Sequence, residues 1–361
     1  MLSVQNKARL LSFSQVEEHF RQSKFIFWEN YAKVLYQSWL SGRNLIVYGK
    51  GGYGKSEMTL HFFALLEQVI PDFSADILDC GGADSTKIWG GLDASALPNF
   101  IYNLNKSWLS KKYVIFEELF DAMLSALVET KYTLTSGEYR SPLQTYKAQT
   151  EWLICLTNKS KTEVLDSVGE DSRNTVDALL QRFPLSYQLE WSREQLHNPT
   201  SWETLLQKAR PRLQGDVRTL FSTAIAQCHR KYKATHDYMS PRSVLHLLHT
   251  TEAWAHSTGK PLTLQHFLDL AWAYPEPAQE FFKSEVEYWN EDNVEELTAA
   301  LEDIKSQIVA LDLPIGQLRA KPRNYIEEIN NKVRELCRAF PEEDELSSAW
   351  ECIRECYYGG Q

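Results

Sequence analysis

One octapeptide constrains this chain more than any other feature. Gly49-Lys50-Gly51-Gly52-Tyr53-Gly54-Lys55-Ser56 follows directly on the apolar run Leu45-Ile46-Val47-Tyr48. The octapeptide matches GxxxxGK[ST], and each residue type in that pattern has a physical task. The glycines let the backbone curl so that successive N–H groups point inward, as a bound phosphate requires. A helix predicted from Lys55 to Val69 adds the positive end of its dipole. Lys55 offers a mobile cation to the terminal phosphates, and the Ser56 hydroxyl can ligate Mg2+. Residues Gly49 to Ser56, with Glu57 in the first helical turn, are therefore the candidate cradle for a nucleoside triphosphate.

The strand ahead of the cradle is one of several. Ser74–Cys80, Tyr113–Phe116 and Trp152–Leu156 are further short apolar runs separated by helical periodicity, for example from Glu118 to Lys131. This alternation predicts an α/β fold with a parallel sheet and helices on both faces, whose ligand sites lie at the carboxyl ends of the strands. The third run delivers Glu117-Glu118 to such an end. There the first carboxylate can serve the metal shell and the second can polarise an attacking water. Glu117 stands where Asp is usual, and its extra methylene carries the carboxylate about 1.5 Å further toward the metal. That departure bears on Mg2+ handling and hence on turnover. The fourth run ends at Thr157-Asn158, where the Asn158 amide can address both the γ-phosphate and the water. In Asn158-Lys159-Ser160-Lys161 a lysine replaces the aspartate that reads guanine in N-K-x-D, so ATP is the expected nucleotide.

Charge and composition narrow the class further. A formal net charge of -10 argues against a general nucleic-acid binder held by phosphate neutralisation. No apolar stretch approaches the ~20 residues that span a bilayer, and the first residues lack the apolar core of a signal peptide. The 6 cysteines are scattered rather than framed as disulfides, so a cytoplasmic protein is expected. The charge is uneven: residues 276–361 hold 9 Lys+Arg and 20 Asp+Glu, after the break at Tyr274-Pro275-Glu276-Pro277. Helical spacing there (Leu297, Leu301, Ile304, Ile308, Leu311; Tyr325, Ile329, Val333, Leu336), punctuated by Pro314 and Pro341, predicts roughly three helices.

Taken together, these motifs resemble an AAA+ ATPase, and within that superfamily the MoxR group. Gly49–Ser56 would be Walker A, Glu117-Glu118 Walker B and Asn158 sensor 1. The helix Thr175–Phe183, ending Asp177-Ala178-Leu179-Leu180-Gln181-Arg182-Phe183, resembles the arginine-finger helix and makes Arg182 the finger, with Arg173 ranked second. Ser240-Pro241-Arg242 and the later Thr263-x-x-x-Phe267-Leu268 resemble sensor 2 and its sequel, which assigns Arg242 to the γ-phosphate. Trp89-Gly90-Gly91-Leu92-Asp93 resembles the short motif after the second strand, and the Tyr132–Pro142 segment a β-hairpin before sensor 1. The resemblance covers about residues 1–275. The segment from Gly91 to Tyr113 is short for the family's second-helix insertion, and the acidic C-terminal helices match none of its motifs.

The resemblance implies an AAA+ nucleotide-binding domain (1–192), an all-α lid (193–275) and a helical C-terminal extension (276–361). It implies ATP and Mg2+ as cofactors, with Ser56 and Glu117 on the metal. A homo-oligomeric ring, a hexamer, is implied too, with Arg182 completing a neighbour's site and catalysis shared by Glu118, Asn158, Arg182 and Arg242. Its work would be chaperone-like remodelling or maturation of a client or adaptor protein, often one with a von Willebrand factor A-type domain. Two rivals stand beside it: an ATP-controlled scaffold with little hydrolysis, and a DNA-associated AAA+ factor. Cys337, Cys352 and Cys356 lack a fourth zinc ligand. His246 and His249 read as surface or packing residues of their helix. Trp28, Tyr31, Tyr36 and Trp39 recur at helical spacing, as core or as a partial adenine wall. Trp89 is a weaker candidate for gripping substrate in a pore.

Overall fold

The structure is a computed structural model that describes residues 3–89, 107–140, 145–231, 239–288, 291–311, 313, 317–318, 321–339 and 344–358. The motif residues Gly90 to Asp93 and the two prolines Pro314 and Pro341 lie outside the described residues. By internal packing the chain divides into two compact units, Met1–Thr263 and Leu264–Gln361.

In the first unit the apolar runs become strands β1 (Leu45–Tyr48), β2 (Ala75–Asp79), β3 (Tyr113–Glu117), β6 (Trp152–Thr157) and β7 (Leu185–Gln188), ordered β2-β3-β6-β1-β7. Every adjacent pair is parallel. β1 and β6 are buried at every position, because a parallel sheet covered on both faces leaves no wet side to its central strands. Strands β4 (Glu138–Arg140) and β5 (Thr145–Lys147) form a separate antiparallel pair just before β6.

Three helices precede the sheet: α1 (Val4–Leu10), α2 (Phe13–Arg21) and α3 (Glu29–Ser41). Within it come α4 (Lys55–Val69), α5 (Ser85–Trp89), α6 (Leu124–Ser136), α7 (Lys161–Asp166) and α8 (Glu170–Leu180). α9 (Arg193–His197), α10 (Pro199–Ala209), α11 (Gly215–Lys231) and α12 (Pro241–Ser257) follow. One face of the sheet packs Ile46, Phe116, Leu153 and Cys155 with Leu127 of α6 and Leu179 of α8. On the other, Trp152 meets Phe62 and Phe63 of α4, and its indole Nε1 donates to Ser38 Oγ of α3 at 2.7 Å.

Several sequence expectations are corrected here. The helix expected from Glu118 begins at Leu124, because Glu118 turns left-handed and a short 3-10 turn, Leu119–Asp121, follows. The helix expected over 175–183 spans Glu170–Leu180, which leaves Arg182 beyond its end. Trp89 cannot grip a substrate: it is buried and stacked on Tyr139 with centroids 4.4 Å apart. Trp28, Tyr31 and Trp39 are core residues.

Among the described residues of the second unit, Leu264–Asp269 precedes four long helices where three were expected: Glu276–Tyr288, Glu291–Ala310, Arg323–Ala339 and Asp344–Tyr358. Proline spacing missed the first, since no proline separates it from the second. Leu301, Ile304, Ile308, Ile329, Val333 and Leu336 form its core with Leu346 and Trp350. Tyr325 is 37% exposed, and Ile326 takes the core position expected of it.

Candidate functional site

The strand order brings three chain segments to one edge of the first unit. β1 leads into the glycine-rich loop, β3 ends at Glu117, and β6, paired between β3 and β1, ends at Thr157. Lys55 and Asn158, 103 residues apart in sequence, meet there: Lys55 Nζ donates to Asn158 Oδ1 at 2.8 Å. The same ammonium donates to the carbonyls of Gly49 at 2.5 Å and Lys50 at 2.9 Å. Burial pulls its pKa down to about 8, against the nearby carboxylates of Glu118 and Glu117, which favour the charged form. It is a buried cation, held by neutral oxygens that phosphate oxygens can outbid.

Glu118 is clasped from the same strand end. Its carboxylate accepts from the Asn158 N–H at 3.1 and 3.2 Å and from Thr157 Oγ1 at 3.4 Å. Burial raises its pKa, and the Asn158 N–H works in the opposite direction. At φ +52° its backbone lies in the left-handed region, which costs a non-glycine residue about 1–2 kcal/mol. Three contacts fix it there. Glu118 N–H donates to Leu156 O at 2.8 Å, Asp121 N–H donates to Glu118 O at 3.0 Å, and Lys159 pairs with Asp121. Glu117 sits at the last position of β3, in register with Leu156 of β6 and Asp79 of β2. Ser56 lies in the first turn of α4, half-buried.

The loop's shape depends on α12. Ser240 caps this helix by accepting from Ser243 N–H at 3.2 Å, and Pro241 fills its first position. The Arg242 N–H donates to Gly52 O at 3.2 Å, so the helix start is docked on the loop. Gly52 has φ +86°, and a Cβ added there would lie 2.3 Å from Ser240 Oγ and 2.7 Å from Ser240 Cβ. Only glycine fits. The Arg242 side chain is exposed, close enough to Lys55 to help lower its pKa.

Beside the loop is a cleft of about 240 Å³. Phe25, Ile26, Trp191, Leu205 and Leu245 form its apolar walls; Lys24, Glu57, Arg242 and His246 are its polar rim; Gly52, Tyr53 and Gly54 close one side. Glu57 is exposed and pairs with Lys24 at 2.9 Å. Sequence reasoning missed these walls because they come from four distant segments. The one local hint is Phe25-Ile26-Phe27-Trp28, an apolar run with no helical period ahead of α3. A ring contact series backs the cleft, from Tyr53 through Trp191 and Trp202 to His229 of α11, with centroids 6.1, 4.9 and 5.1 Å apart.

Arg182 is elsewhere. Its carbonyl accepts from Asn44 Nδ2 at 3.2 Å, and its Nε donates to Thr135 Oγ1 at 2.9 Å. Asn44 precedes β1, whereas the glycine-rich loop follows it. At about 3.3 Å per residue, β1 sets the Arg182 backbone on the order of 13 Å from its own loop, at the amino end of that strand. Arg173 is exposed and faces Asp166 at 3.8 Å. Among the described residues no group of three His, Cys, Asp or Glu gathers as a metal cluster. Ser56 and Glu117 are hard oxygen donors of the kind Mg2+ takes beside phosphates and waters.

A parallel sheet ordered β2-β3-β6-β1-β7, with a GxxxxGKS loop after β1 and helical parts beyond, defines the class: an α/β fold of the P-loop type. No family model matches the chain, and no curated protein matches it in sequence. Similar solved structures include S. cerevisiae Hsp104 in an extended complex with casein, at 14% identity and TM-score 0.48, over 71% of this chain and 51% of that one. A closed-state Hsp104 reconstruction with ATPγS and casein follows at 16% identity and TM-score 0.46, over 71% and 51%. A point mutant of T. maritima RuvB is similar at 11% identity and TM-score 0.43, over 74% and 72%. The chain thus spans about half the length of the Hsp104 chains. No helix among the described residues is long and apolar enough to cross a membrane.

Proposed function

We propose that this chain binds ATP at the Gly49–Ser56 loop and hydrolyses it within a ring of its own copies, as a MoxR-like AAA+ protein that remodels a partner protein. The observation that carries this reading is the meeting of Lys55, Asn158 and Glu118 at adjoining strand ends. Loop N–H groups and Lys55 hold the phosphates, and the apolar cleft beside the loop accepts the base. The Glu118 carboxylate takes the proton of the attacking water once it leaves the Thr157–Asn158 clasp. The Asn158 amide aligns that water with the terminal phosphate, and Arg242 reads the same phosphate from α12. Mg2+, when bound by Ser56 and Glu117, supplies neutralisation of phosphate charge. Arg182, directed away from its own loop, serves a neighbour's nucleotide, which is why a ring, six-membered by resemblance, is the active form. Residues 1–192 act as the nucleotide domain, 193–275 as the lid and 276–361 as an extension. The client, in this reading, is a protein, with a von Willebrand factor A-type domain as the partner the resemblance offers.

Phosphate release tests the chemistry. Glu118→Gln is expected to lower the rate about 10²-fold or more while ATP still binds. A second reading, an ATP-controlled scaffold, is favoured by Glu117 and by a Glu118 carboxylate already satisfied by Thr157 and Asn158 at the end of the neighbouring strand. Equal, slow release from both proteins, with ATP bound to both, would replace the motor by the scaffold. Mixing tests the ring. Arg182→Ala copies added to wild type are expected to depress activity beyond their share, and strictly proportional loss removes the action across copies.

A further inference from the structure

A second cleft in the first unit takes no part in the nucleotide site. Its volume is about 560 Å³, and it lies between the Arg210–Gln214 turn, the start of α11 and the end of α12. Its apolar floor includes Leu213, Val217 and Ala255, which are buried. Its rim carries Arg210, Arg212, His256 and Lys260 against one acid, Glu252. That carboxylate is already engaged, 3.7 Å from Arg210 Nε and 3.9 Å from His249 Nδ1. Pro211 and Pro261 stiffen both rim turns, so the cleft is shaped before anything enters it.

A cationic rim over an apolar floor asks for an acidic surface with an apolar projection. The chain carries one. Residues 264–361 hold 9 Lys+Arg and 21 Asp+Glu, whereas residues 1–263 hold 29 and 27. On the helix Glu291–Ala310, exposed Glu302 and Asp303 precede Val309 by about two turns, and Val309 is 75% exposed. We propose that the Arg210–Lys260 cleft of one copy receives the Glu302–Val309 face of a second copy. Such a head-to-tail contact uses different patches on the two copies and so propagates around a ring. It stands apart from hydrolysis, because none of these residues touches the nucleotide site.

Sedimentation velocity of the full chain tests it, with ATP binding measured in parallel to show that each variant is folded. Raising NaCl from about 0.05 M to about 0.5 M is expected to weaken self-association at least about tenfold. The cleft variant Arg212→Glu/Lys260→Glu and the face variant Glu302→Lys/Asp303→Lys should each weaken it similarly at low salt. Equal mixing of the two variants should restore association, since each reversed patch then meets its complement. The proposal is overturned if wild type stays monomeric, if either variant assembles like wild type, or if mixing restores nothing. It is also overturned if a labelled poly-glutamate peptide fills the cleft while the chain does not self-associate, which would assign the cleft to an external acidic partner. Failure of the wild-type chain to bind ATP would sink the nucleotide reading alone, and the far-UV circular dichroism of each variant then serves as the folding check while the same association outcomes decide this proposal.

Discussion

The two units place most of their charged residues differently. In the C-terminal unit the core is apolar, built of Leu301, Ile304, Ile329, Val333, Leu346 and Trp350, and charges such as Glu327 and Glu328 stay on helix surfaces, with Glu285 a buried exception. In the first unit Lys55 is only 6% exposed and Glu118 is held in a left-handed turn. A solvated charge costs a helix almost nothing, but a buried cation and a twisted glutamate both cost stability. Such arrangements persist where a site needs charge in a fixed place.

The largest break in that contrast is expected at Gly52. Gly52→Ala combines positive φ with a Cβ driven against Ser240, so about 3–4 kcal/mol of stability should be lost together with nucleotide affinity. Gly259→Ala is the control: φ there is +68° but no atom lies within 4 Å of the added Cβ, so about 1–2 kcal/mol is expected and nucleotide affinity is kept. Chemical denaturation and equilibrium ATP titration of both variants read this out. Equal effects at the two glycines would mean that the docking of α12 on the loop is not tight.

Next in size is a pH effect behind the cleft. Burial lowers the pKa of His229 to about 4, and its ring stacks on Trp202 at 5.1 Å. The unfolded chain binds this proton below about pH 6.5 and the folded chain only below about 4. Stability contributed by the neutral ring is therefore complete above about pH 6.5 and is lost as pH falls toward 4, to the extent of about 3 kcal/mol. His229→Phe keeps the stack and should flatten that part of the stability profile. An unchanged slope would assign the acid sensitivity to other groups.

The smallest effect belongs to the acidic helices. Glu327 and Glu328 pair with Arg323 at 2.9 Å and Lys332 at 3.1 Å on an exposed face. Replacing both by Gln should shift stability by less than about 0.5 kcal/mol. A loss above about 2 kcal/mol in thermal unfolding would mean that charge is structural in the second unit as well.

Much of the first unit was legible from local pattern. α4 begins and ends where the apolar period and the glycine-rich loop place it, and the strand runs became β1, β2, β3 and β6 to within a residue or two. Ends that depend on remote partners were misplaced. The helix after β3 starts late because Glu118 is bent toward Asn158, 40 residues on. Trp89 looked like a loop residue but is covered by Trp108 and Tyr139, whose proximity no local window contains. The cleft walls share that difficulty: Phe25, Trp191, Leu205 and Leu245 become neighbours only in space.

By itself the sequence determined the glycine-rich loop ahead of a helix, the α/β alternation and the acidic, helical character of the last quarter, since each is written in contiguous residue types and their period. Tertiary structure alone decided that β6 lies between β1 and β3, and so that Lys55 donates to Asn158 while Asn158 holds Glu118. It also set Arg182 toward the other end of β1 from the loop. Strand order is chosen by how whole faces bury against each other, and that energy is spread over the sheet rather than carried by any one stretch of chain.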